Sequence, residues 1–212
     1  MRTILCFGDS LTWGYNAEGP SRHAYEDRWP SVLQHRLGEE ARIIAEGLNG
    51  RTTAYDDWLS GADRNGARIL PTLLMSHSPL DLIIIMLGTN DMKPFICGRA
   101  IGAKQGIQRL IDIVRNHKYP LDEPPPGTLV VAPPPFCQTA NTDFAAQFDG
   151  GISESRKLAV HYADAAEQAG CGFFDAGTVA RTTLLDGVHL DAENTRAVGM
   201  GLEPIVRRIL GL

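Results

Sequence analysis

The sequence has no C-x-x-C pair. Its four cysteines, Cys6, Cys97, Cys137 and Cys171, stand far apart. That spacing is poor for a zinc site or a redox motif and leaves reduced thiols as the default. Positive charge is not in excess either. The net charge is −5, so neither nucleic acid nor an anionic membrane is expected as a partner. No apolar run approaches the roughly 20 residues of a membrane span. Before Gly8 there is one Arg and then only Ile4 to Phe7 as an apolar run, too short for the core of a signal peptide; the expectation is a cytoplasmic protein. H-E-x-x-H, G-x-G-x-x-G and the Walker pattern are all missing. Asp56, Asp57 and Asp63 read as a solvated loop, and neither a metal nor a cofactor is expected. There is no internal repeat and no sign of a second domain, so residues 1–212 are expected to form one.

What remains is a globular composition, 43% hydrophobic and 21% charged over 212 residues, long enough for a full core. Apolar runs alternate with helical patterns. Strands are expected at Ile4–Phe7, Ala41–Ala45, Leu80–Leu87, Thr128–Ala132 and Cys171–Phe174. Helices are expected from Trp29 to Leu37, from Asn65 or Gly66 to His77 with a kink at Pro71, and from Ala100 to His117. Two more are expected from Ile152 to Ala169 and over residues 193–210. Strand and helix repeated about five times imply an α/β fold, a parallel sheet with helices on both faces. Two long polar stretches stay as loops: Asn16 to Arg28, containing Gly19-Pro20, and Phe136 to Gly151, whose length suits a lid, a binding wall or a partner contact.

Polar residues punctuate the strand ends. Gly8-Asp9-Ser10 follows the first strand, Gly47 to Thr53 the second, and Gly88-Thr89-Asn90-Asp91 the third. In an open parallel sheet such ends gather along one edge, where ligands bind. Ser10 there is either a helix cap residue or a nucleophile, which needs a base and an acid to orient the base. His189 follows Asp186 by three residues, so one short loop can hold a carboxylate against Nδ1 and leave Nε2 for Ser10. The plainer alternative is an ordinary Asp186-Gly187 turn. His23, in the first loop, stays open as a second base. The Ser10 and Gly50 N–H groups and the Asn90 amide are candidate donors to an oxyanion, although Asn90 also suits a turn or cap.

Gly8-Asp9-Ser10-Leu11, Gly50 within Gly47 to Thr52, Gly88-Thr89-Asn90-Asp91 and Asp186-Gly187-Val188-His189 resemble, in order, the four blocks of the SGNH (GDSL) hydrolase family. The longer stretches ILCFGDSLTWG, EGL-x-x-RTT, IIIMLGTND-x-K and FFDAG are similar to its bacterial arylesterase and acyltransferase branch, some members of which carry out perhydrolysis. Asn49-Gly50 departs from that branch, which often has other small residues there. The resemblance implies a three-layer α/β/α fold with a five-stranded flavodoxin-like sheet. It implies Ser10 as nucleophile, His189 as base and Asp186 as its orienter. Ser10 N–H, Gly50 N–H and the Asn90 side chain would form the oxyanion hole. It also implies homo-oligomers, up to octamers. The expected activity is hydrolysis of short acyl esters through an acyl-serine, a small-molecule substrate, with acyl transfer as an added outcome. Leu11, Trp13, Lys93, Phe144, Phe148 and Val188 are the expected pocket walls, Trp13 being equally suited to core packing. Two other readings stand beside this one. The first is a carbohydrate acetylesterase or thioesterase with the same triad. The second is a non-catalytic flavodoxin-like binder of flavin or nucleotide.

Overall fold

The computed structural model describes residues 1–19 and 21–212; Pro20, in the Gly19-Pro20 turn expected of the first loop, lies outside the described residues. Strand β1 (Arg2–Gly8) is the axis of the sheet. Its side chains alternate with the period of a strand: Ile4 and Cys6 enter one core layer and Leu5 and Phe7 the other, all fully buried. A strand apolar on both faces belongs inside a parallel sheet covered on both sides.

The chain then forms α1 (Ser10–Trp13) and a small antiparallel ribbon of β2 (Tyr15–Asn16) and β3 (Ser21–Arg22). Next come α2 (Trp29–Leu37), β4 (Ala41–Gly47), α3 (Gly66–His77), β5 (Leu82–Met86) and α4 (Ala100–Asn116). The second half contains β6 (Gly127–Ala132), α5 (Thr142–Gln147), α6 (Gly151–Ser155), α7 (Leu158–Gln168), β7 (Gly172–Asp175) and α8 (Ala192–Leu210). The five-stranded sheet runs β4-β1-β5-β6-β7, all parallel. Helices α2 and α8 cover one face, closing over Trp29, Leu33, Val198 and Leu202. Helices α3, α4 and α7 cover the other, over Leu70, Leu74, Ile107, Leu110 and Tyr162. This is the doubly wound flavodoxin-like order, whose switch point lies between β1 and β5. Asp9-Ser10 leaves β1 there, and Thr89-Asn90 follows β5 beside it.

One expectation is met at a cost and two change. Helix α3 has the expected span and keeps Pro71 inside it as one element. A proline inside a helix costs about 3 kcal/mol, and burying Leu70 and Leu74 completely, at roughly 1.5–3 kcal/mol each, outweighs it. The segment from Phe136 to Gly151 is not a bare loop: Asn141 caps α5 by accepting from the Asp143 and Phe144 N–H groups at 3.2 Å. The helix expected from Ile152 to Ala169 is two helices. The short α6 is pinned sideways, with Ser155 Oγ accepting from Phe136 N–H (2.9 Å) and Glu154 from Ala100 N–H (2.8 Å), and the chain turns at Arg156-Lys157 before α7 begins. Among the described residues, no helix is long and apolar enough to cross a membrane, and no group of three or more His, Cys, Asp or Glu side chains is placed to hold a metal ion.

Candidate active site

Asp9 ends β1 and starts α1. Its Oδ1 accepts the Leu11 N–H at 2.9 Å, and Gly14, at φ +89°, closes the short helix by donating to Ser10 O. The cap is therefore Asp9, and Ser10 is the first residue inside, with its hydroxyl free for other work. Gly47 makes room for this helix against β4. A Cβ there would stand 2.6 Å from Trp13 Cα and 2.7 Å from the Thr12 carbonyl carbon.

The loop before α8 supplies the partners. Asp186 Oδ1 accepts the Val188 and His189 N–H groups, both at 2.9 Å, which folds the Asp186–His189 turn around the carboxylate. Gly187, at φ +78°, makes that turn possible. Asp186 Oδ2 stands 2.6 Å from His189 Nδ1, and His189 Nε2 stands 2.9 Å from Ser10 Oγ. Burial pushes the Asp186 carboxyl up, but the imidazole bonded to it and the two N–H groups prevail and hold it below the usual carboxylate range. All three side chains are buried. His23, the alternative base, instead contacts Leu190 O at 2.9 Å and braces the segment that carries His189.

A cavity of about 240 Å³ opens on Ser10 and His189. Gly50 and Asn90 line it. Among the described residues, the Ser10 and Gly50 N–H groups have no acceptor. Asn90 donates one amide hydrogen to Arg51 O at 3.1 Å, which fixes its orientation and leaves the second hydrogen. Gly50 sits at φ +83°. Of the expected walls, Lys93, Phe144, Phe148 and Val188 line the cavity. Leu11 and Trp13 do not. Leu11 is packed into the layer under α2, because it follows Ser10 on the inward side of α1. Trp13 lies under the Arg22 guanidinium, 4.6 Å from its ring centre. Three lining residues have no motif to announce them, Tyr15, Arg64 and Gln147, and Asn49 joins them from the block that holds Gly50. Tyr15 packs against His189 with ring centres 4.2 Å apart and planes tilted by 35°, and Phe144 meets the same imidazole edge-on at 5.8 Å. The Ser10–Tyr15 spacing hides this contact, which depends on the β2–β3 ribbon folding back. A larger cavity, of about 550 Å³, shares Phe144, Phe148 and Val188 with this one, but neither Ser10 nor His189 lines it.

The floor is rigid and charged. Arg51 Nη1 donates to Gly8 O at 2.8 Å and also to Glu46 O, tying the ends of β1 and β4. Its guanidinium lies over Phe7, and burial lowers its pKa to about 10. Asp9 is fully buried. Desolvation raises its pKa to about 6, against the pull of the Leu11 N–H and of the His189 and Arg51 charges. Asp91, bonded to the Thr53 hydroxyl and N–H, is raised to about 6 by the same burial and by the nearby Asp9 charge.

The comparisons with known proteins fit this geometry. The sequence profile of the GDSL-like lipase/acylhydrolase family matches residues 6–197. A carbohydrate acetylesterase family member from Sinorhizobium meliloti is 65% identical over the whole of both chains, with a TM-score of 0.99. The aryl esterase of M. smegmatis is 39% identical over 99% of this chain and all of its own, with a TM-score of 0.94. A second carbohydrate acetylesterase from S. meliloti is also 39% identical over 99% of this chain and all of its own, with a TM-score of 0.93. No curated protein matches the sequence. With the match spanning nearly the full length and relatives well above 30% identity, the chain belongs to the GDSL-like lipase/acylhydrolase family, the SGNH hydrolases, and is a carboxylic ester hydrolase.

Proposed function

We propose that Ser10, His189 and Asp186 are the catalytic triad of a serine esterase acting on short acyl esters. The observation that carries this is the unbroken chain Asp186 Oδ2–His189 Nδ1 (2.6 Å) and His189 Nε2–Ser10 Oγ (2.9 Å) at the mouth of one cavity. Ser10 Oγ attacks the ester carbonyl carbon while His189 Nε2 takes its proton. The negative charge that moves to the carbonyl oxygen is held by Ser10 N–H, Gly50 N–H and the free hydrogen of Asn90 Nδ2. The intermediate collapses, the C–O bond to the alcohol breaks, and His189 returns the proton to the leaving oxygen. Water then attacks the acyl-Ser10 carbonyl with His189 again as base, releasing the acid. An alcohol or peroxide in place of water makes the same step an acyl transfer.

The preference between an aryl ester and an acetylated carbohydrate rests on the alcohol side. The 65% identity to a carbohydrate acetylesterase family member favours an acetylated carbohydrate as a second reading. Release of acetate from acetylated sugars and from phenyl acetate, compared as kcat/KM, separates the two. We further propose that the chain acts as a single domain within a cytoplasmic homo-oligomer, up to an octamer. Trp58, Leu59 and Leu184 are strongly exposed large apolar side chains, of the kind that assembly covers. Ser10→Ala tests the central assignment: turnover of p-nitrophenyl acetate falls almost to background, and a wild-type rate would refute it.

A further inference from the structure

Lys93 lies three residues after Asn90 and is 94% buried, its side chain lining the cavity that holds Ser10. Its stem is enclosed while its Nζ opens onto the cavity, and a lysine so enclosed is expected to be paired. Lys93 is not: among the described residues it donates no hydrogen bond and has no carboxylate within 4.0 Å. Its Nζ faces only the rings of Phe148 (5.6 Å) and Phe95 (6.0 Å), which offer no lone pair. Three carboxylates act on it from a distance, and each is committed elsewhere. Asp57 is bonded to Arg64 Nη1 at 2.9 Å, Asp91 to Thr53, and Asp9 to the Leu11 N–H. Arg64 lines the same cavity. Asp57 is spent on Arg64, so no carboxylate is paired with the Lys93 ammonium.

Building on the esterase reading, we propose that Lys93, with Arg64 beside it, is a carboxylate-binding subsite, and that the enzyme prefers esters carrying a second, non-reacting carboxylate. An anion here would supply the partner that Lys93 lacks. It would also offset the burial that holds the ammonium below its ordinary pKa. A carboxylate entering the cavity would displace water from the ammonium beside these rings, where a charge-assisted bond is strengthened. The carboxylate can belong to the acyl group or to the alcohol.

Matched substrates distinguish these sources. On the acyl side, mono-p-nitrophenyl succinate is compared with p-nitrophenyl butyrate. On the alcohol side, 4-acetoxybenzoate is compared with its methyl ester. Each rate is divided by the ester's own uncatalysed hydrolysis. A charged hydrogen bond predicts a preference of roughly tenfold or more in kcat/KM for the carboxylate on one of the two sides. Lys93→Met should abolish that ratio and Lys93→Arg should retain it. Calorimetric binding of succinate and benzoate against succinamide and benzamide gives the same comparison without turnover, in wild type and in Lys93→Met. No carboxylate preference in wild type, or one that survives undiminished in Lys93→Met, overturns the subsite. Failure of wild type to hydrolyse the neutral esters would instead overturn the esterase reading, with carboxylate binding still read by calorimetry.

Discussion

Each of the central side chains has a separate job that one substitution isolates. In the proposed mechanism Asp186, 2.6 Å from His189 Nδ1, fixes the tautomer and orientation of that imidazole. In Asp186→Asn the amide oxygen can still accept the Val188 and His189 N–H groups, but an uncharged NH₂ donor replaces the carboxylate oxygen that faces His189 Nδ1. kcat should fall by about 10⁴ while the fold persists, measured by p-nitrophenyl acetate turnover alongside circular dichroism. If Asn90 is the oxyanion donor proposed above, Asn90→Ala should lower kcat by about 10²–10³, with less change in KM. Asp9 makes a different prediction. Its carboxyl titrates near pH 6 when folded and about two units lower when unfolded. Between those values the folded state binds the proton more tightly, so this group's contribution to stability declines as pH rises from about 4 to 6 and stays low above that. Asp9→Asn keeps an acceptor for the Leu11 N–H and removes the titration. Its stability relative to wild type should therefore be greater at pH 7.5 than at pH 4, by on the order of 3 kcal/mol at most, and its melting temperature relative to wild type should rise accordingly. A difference independent of pH in thermal scans would contradict this.

At the scale of elements, the site depends on how closely α1 sits on the ends of β1 and β4. Gly47 is the contact that sets this distance. Any side chain there meets backbone atoms of Thr12 and Trp13, which cannot swing aside as a flexible side chain would. Gly47→Ala should move α1, and Ser10 with it, away from His189. We expect kcat/KM to drop by 10²-fold or more, since an error of about 1 Å in a catalytic group costs that much, together with a lower melting temperature. The elements also show where the sequence is readable. The five strands announce themselves as apolar runs ended by Gly or Pro, and Ser10, Gly50, Asn90, Asp186 and His189 stand in short blocks whose polar residues have no use in a core. Helix α5 was legible in principle, through Asn141 and the acidic Asp143 of a first turn, but its six residues are too few for periodicity. The break between α6 and α7 was not legible. It is imposed by Phe136 and Ala100, residues distant in sequence, which bond to Ser155 and Glu154. Leu11 and Trp13 were misplaced for a related reason. Adjacency to the nucleophile in sequence does not give direction, and a four-residue helix turns both away from the cavity.

For the molecule as a whole, the β4-β1-β5-β6-β7 order places the site at the switch point, where the chain leaving β1 and the chain leaving β5 diverge to opposite faces. The loop before α8 must then cross to this edge to deliver Asp186 and His189. The site thus draws on residues 10 to 189, and the contacts across it, such as Tyr15 on His189 and the unpaired Lys93, arise only from the closed fold. That is why the motif residues were readable and the substrate side of the cavity was not. The exposed Trp58, Leu59 and Leu184 carry the expectation of assembly. Light scattering after size exclusion should give a multiple of the 23.1 kDa chain mass, and a single-chain mass would leave those side chains without a partner copy.

The most direct test is to trap the acyl-serine itself. An organophosphate or a slowly released ester is incubated with the wild-type protein, and the modified peptide is located by mass spectrometry. The account predicts one adduct, on the Ser10 hydroxyl, formed in step with loss of esterase activity and absent from Ser10→Ala. An adduct on any other residue, or loss of activity with Ser10 unmodified, would contradict it.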